Sequence, residues 1–393
     1  MPRAPRVAAR ALIARALFLR AVRALPLRVV LPDGATAGGG GPGAPAMTIE
    51  RDAFFHRLGA DGKIGFGEAY MAGDWRADDL PGALAAFAGR VERLLPAPLQ
   101  RLRRLYEPRI PAGERNTVAG AARNVARHYD LSNDLFALFL DPTMTYSAAV
   151  FEPGDTLETA QIRKYEALCR LAGIGPADHV LEIGTGWGGF AIHAAATHGC
   201  RVTTATISQA QAALARERVA AAGLSERVEV VLRDYRELAG RHTKIVSIEM
   251  LEAVGEEYWP AFFAACDRLL EPDGSVALQT ITMPHRRYLA SRHAYGWIHK
   301  YIFPGGLIPS REAIDRALRD ASSLRVTDGE EIGHHYATTL RQWRERFLAR
   351  REQVHALGFD GTFVRMWEFY LAYCEAGFAT GALGDAQLRL ARV

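Results

Sequence analysis

What most constrains this chain is an alternation of helix-like and strand-like stretches from 156 to 282. Helical spacing over 156–172 leads to a strand at 178–183. Helices at 188–198 and 208–223 separate strands at 200–206 and 228–232. A strand at 244–250, a helix at 258–271 and a strand at 275–282 complete the run. Strands joined by helical crossovers have few layouts open to them, because the crossovers are right-handed and both faces of the sheet must be covered. The expectation is an α/β fold with a doubly wound, mostly parallel, Rossmann-like sheet. Ligands in such sheets bind beyond the carboxyl ends of the strands, near the point where strand order reverses. The stretch LEIGTGWGGF (181–190) follows the first strand of the run and falls at that point.

The spacing of Gly184, Gly186 and Gly189 fits G-x-G-x-x-G, which is weak evidence alone. A dinucleotide site would add a pyrophosphate at the helix N-terminus and an acid about 20 residues on for the ribose hydroxyls. Here the second strand runs into TTATISQAQ (203–211), which has no acid. An acid instead precedes the loop, as Glu182 in E-x-G-x-G, and RDY (233–235) follows the third strand. This is the pattern of S-adenosylmethionine-dependent methyltransferases, whose glycines let the backbone approach a ligand that has no phosphate. It argues against a nicotinamide oxidoreductase.

Longer motifs sharpen the assignment. HYDLSNDLFALFLDPTMTYSAAVFE (128–152), VLEIGTGWGGFAIHAA (180–195), SIEMLEAVG (247–255), YIFPGG (301–306) and FVRMWEFYLAYCEAGF (363–378) together resemble the cyclopropane-fatty-acyl-phospholipid synthase family, over about 116–393. The resemblance implies a class I methyltransferase sheet with extra helices over the substrate face. It implies methyl transfer from S-adenosylmethionine to a cis double bond in a phospholipid acyl chain, with cyclopropane as the default product. For the donor it implies Tyr146, Ser147, Glu182, Gly184, Gly186, Gly188, Thr206, Ile207, Gln211, Asp234 and Tyr235. Helix capping and surface polarity are the plainer account of Thr206 and Gln211.

An alkene is a poor nucleophile, so its methylation passes through a cation that carboxylates, carbonyl dipoles and aromatic faces stabilise. A base must then remove a proton. The resemblance implies a bound bicarbonate held by a Cys, a Glu, a His, an Ile backbone and a Tyr. Glu252, Ile281 and Tyr336 match that set, but Ala148 stands at the Cys position and Gln279 at the His position. Ala148 has no polar side chain, and Gln279 can donate a hydrogen bond without carrying a proton. Bicarbonate binding and ring closure are therefore left open, with a methyl- or methylene-branched chain as the alternative product. A non-catalytic lipid-binding protein and a methyltransferase acting on soluble acceptors are the rival functions.

The rest of the chain is less specific. Its 393 residues suit two domains, expected as a small N-terminal α+β domain over 1–110, associated with lipid or membrane, and a catalytic domain over 111–393. Helices are expected at 79–93 and 95–106, and YEPRIPAGERN (106–116) is the boundary. A net charge of +4 is too small to argue for nucleic acid. Within 1–31, Arg3, Arg6, Arg10, Arg15, Arg20, Arg23 and Arg28 alternate with apolar residues and no acid precedes Asp33, which suits a helix on an anionic membrane. An ordinary amphipathic helix and a transit peptide are the alternatives. Since an acyl chain leaves a bilayer at ~0.8 kcal/mol per CH₂, the enzyme is expected in the cytoplasm, peripheral to the inner face of the membrane. A homodimer is left open. Cys169, Cys200, Cys266 and Cys374 follow no C-x-x-C spacing and read as reduced, mostly buried thiols, with no metal site. Trp367, Phe369, Tyr370 and Tyr373 fit a core or an acyl tunnel, His334 and His335 a relay or packing, and Trp187 a donor cover or a wedge.

Overall fold

A computed structural model describes every residue except 2, 3, 6, 7, 89–110, 112–115, 118, 119 and 122–131. Arg3, Arg6, the helix expected at 95–106 and most of the boundary expected at 106–116 lie outside the described residues. The chain forms two compact units. The first comprises Met1–Arg109, Ala294–Ile302 and Trp343–Ala382; the second comprises Ile110–His293, Phe303–Gln342 and Leu383–Val393. The unit that starts at Met1 thus takes in two later segments that a linear division assigns to the catalytic part.

In the first unit, strands β1 (Arg28–Val30), β2 (Thr36–Ala37), β3 (Ala46–Ile49) and β4 (Trp75–Ala77) form a sheet in the order β2-β1-β3-β4. Helices Ala8–Val22, Ala53–Asp61, Lys63–Met71, Leu80–Ala88 and Gly361–Ala379 accompany it. The segment AMTIERDAFF (46–55) is a strand only to Ile49, and a helix begins at Ala53. The core is aromatic. Phe369 lies 5.4 Å from Tyr70, 6.3 Å from Trp75 and 4.8 Å from Trp297, centroid to centroid. Trp367, Phe369 and Tyr370 are buried here, while Tyr373 is 43% exposed.

The second unit holds the alternating run. Strands β5 (His179–Ile183), β6 (Arg201–Thr206), β7 (Val228–Leu232), β8 (His242–Ile248) and β9 (Leu270–Thr282) are parallel, and β10 (Leu324–Glu331) and β11 (Gly384–Arg392) add an antiparallel edge. The order is β10-β11-β9-β8-β5-β6-β7, so strand order reverses at β5. The interior of β5 is buried on both faces, as a parallel strand covered by helices must be. Thr156 caps the Leu157–Ala172 helix by accepting from Thr159 N–H, and Gly173 ends it at φ 67°. Ser208 caps the Gln209–Ala221 helix through Gln211 N–H.

All four cysteines are free, three of them buried. Cys169 nonetheless meets His193 and His198, with ligand-type atoms within 4.8 Å of one another. Glu166 bonds the Nε2 of His198 at 2.9 Å and of His193 at 3.4 Å. This ties the Leu157–Ala172 helix to the Gly189–His198 helix.

Candidate active site

Beyond the carboxyl ends of β5, β6 and β8 lies a cleft of about 1160 Å³, including space open to solvent. Ten of the eleven residues expected at the donor line it: Tyr146, Ser147, Glu182, Gly184, Gly186, Thr206, Ile207, Gln211, Asp234 and Tyr235. The loop bends through positive φ at Gly184 (101°), Gly186 (51°) and Gly188 (85°). A Cβ on Gly186 would project into open space, so the backbone itself forms the wall there. Gly188 is the exception among the eleven. It is the N-cap of the Gly189–His198 helix, and a Cβ on it would sit 3.4 Å from Ala215, so it serves helix packing.

The lining is braced from outside. Arg218 donates to the carbonyls of Trp187 (2.6 Å) and Thr143 (2.9 Å), fixing the glycine loop against the segment that carries Tyr146 and Ser147. Trp187 is buried, lines the cleft and donates from Nε1 to Asn133 Oδ1 at 2.8 Å. Thr206 Oγ1 donates to Gln211 Oε1 at 2.9 Å, and Ser208 supplies the helix cap, so capping is not what Thr206 and Gln211 do. Asp234 is chelated by Arg236, at 2.6 Å from Nη2 and 2.8 Å from Nε. Burial pushes the Asp234 carboxyl up, but the Arg236 bonds outweigh it and hold the group below its usual range. Tyr235 Oη is buried with no hydrogen-bond partner among the described residues. Glu182 faces inward, accepting from Thr204 Oγ1 at 2.5 Å, and burial raises its pKa to about 8.

The five residues expected at the base divide into two groups. Ala148 N–H (2.7 Å) and Gln279 Nε2 (2.9 Å) donate to Oε1 of Glu249, and Tyr336 Oη donates to its Oε2 at 2.6 Å. Ile281 N–H instead donates to Glu252, whose Oε1 also accepts from Thr280 Oγ1 at 2.9 Å. Glu249 lines the donor cleft; Glu252 does not. Glu252 Oε2 is buried without a hydrogen-bond partner among the described residues, and burial followed by repulsion from Glu249 raises the Glu252 pKa to about 8.

Sequence reasoning missed three residues here. Glu249 follows β8, is held at φ 49°, and had its signal in SIEMLEAVG, which carries two acids. Asp385 accepts from Gln279 Nε2 at 3.1 Å; burial and the neighbouring Glu249 push its carboxyl well above the usual range. Lys164 is fully buried and donates to Ser147 Oγ at 2.6 Å, and burial lowers its pKa to about 8 against the pull of Glu249 and Asp385. Nothing local marks Lys164 or Asp385 in the sequence. Outside the cleft, His335 accepts from Phe151 N–H at 3.3 Å, which is packing, and Leu307, the residue after YIFPGG, donates its N–H to Glu252 O at 2.8 Å.

Residues 117–388 match the family described as mycolic acid cyclopropane synthetase. Over its whole length the chain is 50% identical to tuberculostearic acid methyltransferase UfaA1 of Mycobacterium tuberculosis, covering 94% of that protein. It is 36% identical to the cyclopropane-fatty-acyl-phospholipid synthase of Escherichia coli, over 85% of each. Among solved structures, mycolic acid cyclopropane synthase CmaA1 complexed with SAH and CTAB superposes with a TM-score of 0.63 and 33% identity, covering 68% of this chain and 97% of that one.

Proposed function

We propose that this chain, which belongs to the mycolic acid cyclopropane synthetase family of S-adenosylmethionine-dependent C-methyltransferases, methylates the double bond of a membrane phospholipid acyl chain and releases a methylene-branched product. The observation that carries the reading is the 50% identity, end to end, to a protein named for making a methylated fatty acid rather than a cyclopropane. The base region supports it, since Ala148 and Gln279 replace the thiol and imidazole that the cyclopropane-type site uses.

The cleft fits the donor: its glycine backbone forms an open cradle, and polar groups line both ends. When bound, S-adenosylmethionine supplies an electrophilic methyl group, which the π electrons of the alkene take, leaving S-adenosylhomocysteine and a carbocation on the acyl chain. Thr206 at the end of β6, Gln211 in the first turn of the Gln209–Ala221 helix and Asp234 after β7 would hold the polar parts of the donor, Tyr146 and Ser147 the end near the acceptor. A hydride shift followed by loss of a proton from the new methyl gives the methylene chain. Direct loss with closure gives the cyclopropane, the competing product. Saturation of the methylene would need a hydride donor on a separate protein.

Access to a bilayer has a physical basis in the Ala8–Val22 helix. Its buried residues are Ala11, Ala14, Phe18 and Val22. Leu12 and Ile13 stand 68% and 61% exposed, with Arg10, Arg20 and Arg23 also exposed. Aliphatics beside arginines suit the surface of an anionic membrane. Among the described residues no helix is long and apolar enough to cross one.

The test uses trideuteromethyl S-adenosylmethionine, liposomes of a monounsaturated phospholipid, and mass spectrometry of the acyl chains before and after mild hydrogenation. A labelled product that takes up hydrogen is expected. A hydrogenation-resistant product that has lost one deuterium would establish the cyclopropane instead.

A further inference from the structure

The groups from which an anion site would be built are already engaged. A bicarbonate at this place would need the Ala148 N–H, the Gln279 amide and the Tyr336 hydroxyl, and all three donate to one carboxylate of the chain, at 2.7, 2.9 and 2.6 Å. Glu249 comes from the carboxyl end of β8, where a parallel sheet presents its ligands, and lines the donor cleft. Its backbone is held at φ 49°, a region that is strained for a non-glycine residue and that persists where the surroundings over-determine it. Glu249 N–H is also anchored, to Gln279 O at 2.8 Å.

We infer that Glu249 is the catalytic base of this enzyme, a carboxylate built into the chain where an external bicarbonate would otherwise be held. The inference rests on the reading of the chain as an alkene methylase. The C–H bond of the new methyl breaks, its electron pair becomes the C=C bond at the cationic carbon, and the proton passes to a Glu249 oxygen. No oxidant or reductant enters. The surroundings suit the task. Burial, with Glu249 beside them, raises the pKa of Asp385 well above the usual carboxylate range and that of Glu252 to about 8, and the buried Lys164 ammonium is drawn by Glu249. Three donors solvate the carboxylate before reaction, and the same carboxylate faces the developing cation.

The test uses the full-length protein with Glu249→Gln and Glu249→Gly; the glycine variant suits the positive φ and frees the three donors. The first readout is binding of ¹³C-bicarbonate by NMR, with S-adenosylhomocysteine affinity and thermal melting as checks on the fold. Wild type is expected not to bind the ion, and Glu249→Gly to bind it. The second is turnover on liposomes in buffer stripped of CO₂, with and without added bicarbonate. Wild-type turnover should be indifferent to the ion, and Glu249→Gln should lose roughly 10²–10⁴-fold, the usual contribution of a general base. Added bicarbonate should restore part of the activity of Glu249→Gly alone. Bicarbonate binding by wild type, a requirement of wild type for the ion, or near-normal turnover in Glu249→Gln would each overturn the assignment. If wild type labels no phospholipid chain, the substrate reading fails, and the binding arm still decides whether Glu249 occupies the anion position. A cyclopropane from wild type, with Glu249→Gln inactive, would revise the product and leave the base standing.

Discussion

Replacing Glu182 by glutamine should make the protein less sensitive to rising pH. The Glu182 carboxylate is 2% exposed and accepts from Thr204 Oγ1, so its ionised form is poorly solvated, and burial raises its pKa from 4.5 to about 8. The folded protein therefore keeps a proton there that the unfolded chain releases above pH 4.5. Between pH 4.5 and about 8 unfolding releases protons, and stability falls as pH rises. At about 1.4 kcal/mol per pH unit, the window is worth up to about 5 kcal/mol. Interior relaxation around the charge leaves about half of this, or about 5–10 °C in melting temperature for a unit of this size. Glutamine keeps the shape and an acceptor for Thr204 but cannot ionise. Melting temperatures of the two proteins, recorded in steps from pH 5 to 8.5, should nearly coincide at the acid end. They should separate towards pH 8 with the glutamine variant higher. Groups common to both that are not coupled to Glu182, such as Glu252, cancel in the difference. Parallel curves, or a wild type that gains on the variant as pH rises, would refute the reasoning.

Other expectations follow from single contacts. Gly184→Ala forces a side chain onto φ 101°, with its Cβ 3.1 Å from Met250, and should cost about 1–3 kcal/mol of stability and weaken S-adenosylhomocysteine about tenfold by calorimetry. Gly223→Ala, also at positive φ but with nothing near its Cβ, should destabilise without changing that affinity. Trp367→Ala should cost about 3–5 kcal/mol in denaturant unfolding, while Tyr373→Ala, at a half-exposed position on the same helix, should stay within about 0.5 kcal/mol. Leu12→Ser with Ile13→Ser should lower sedimentation with anionic liposomes at least about tenfold, because each aliphatic buried in lipid is worth about 1.5–3 kcal/mol; unchanged sedimentation would remove the helix from the membrane reading.

The boundaries of β5 to β7 and of the helices between them follow the sequence to within one or two residues, because helical and strand periods alternate cleanly there. The last two strands escaped it. β11 alternates Ala386, Leu388 and Leu390 inward, but its other face carries Asp385 and Gln387, both buried, so the pattern does not read as an ordinary half-exposed strand. The same limit governed the site. The residues expected at the donor cluster within short motifs and could be read together; the groups around Glu249 come from the segment of Ala148, β9, β11, the Leu157–Ala172 helix and the Gly333–Ala349 helix that carries Tyr336, far apart in sequence.

The sequence by itself determined the parallel part of the sheet, the glycine loop at its switch point and the donor chemistry, because period, spacing and local motif encode them within a few residues. Only the tertiary structure decided which of the two acids in SIEMLEAVG faces the cleft. Glu249 leaves β8 at positive φ and meets Ala148, Gln279 and Tyr336, while Glu252, three residues on, turns back to Ile281 N–H. Register makes the last connection. Pairing of β11 with β9 sets Gln387 opposite Gln279 and Asp385 opposite Ile281, which brings the C-terminal strand's carboxyl to the same spot. Contacts between residues up to about a hundred positions or more apart are fixed by packing, which no local pattern records.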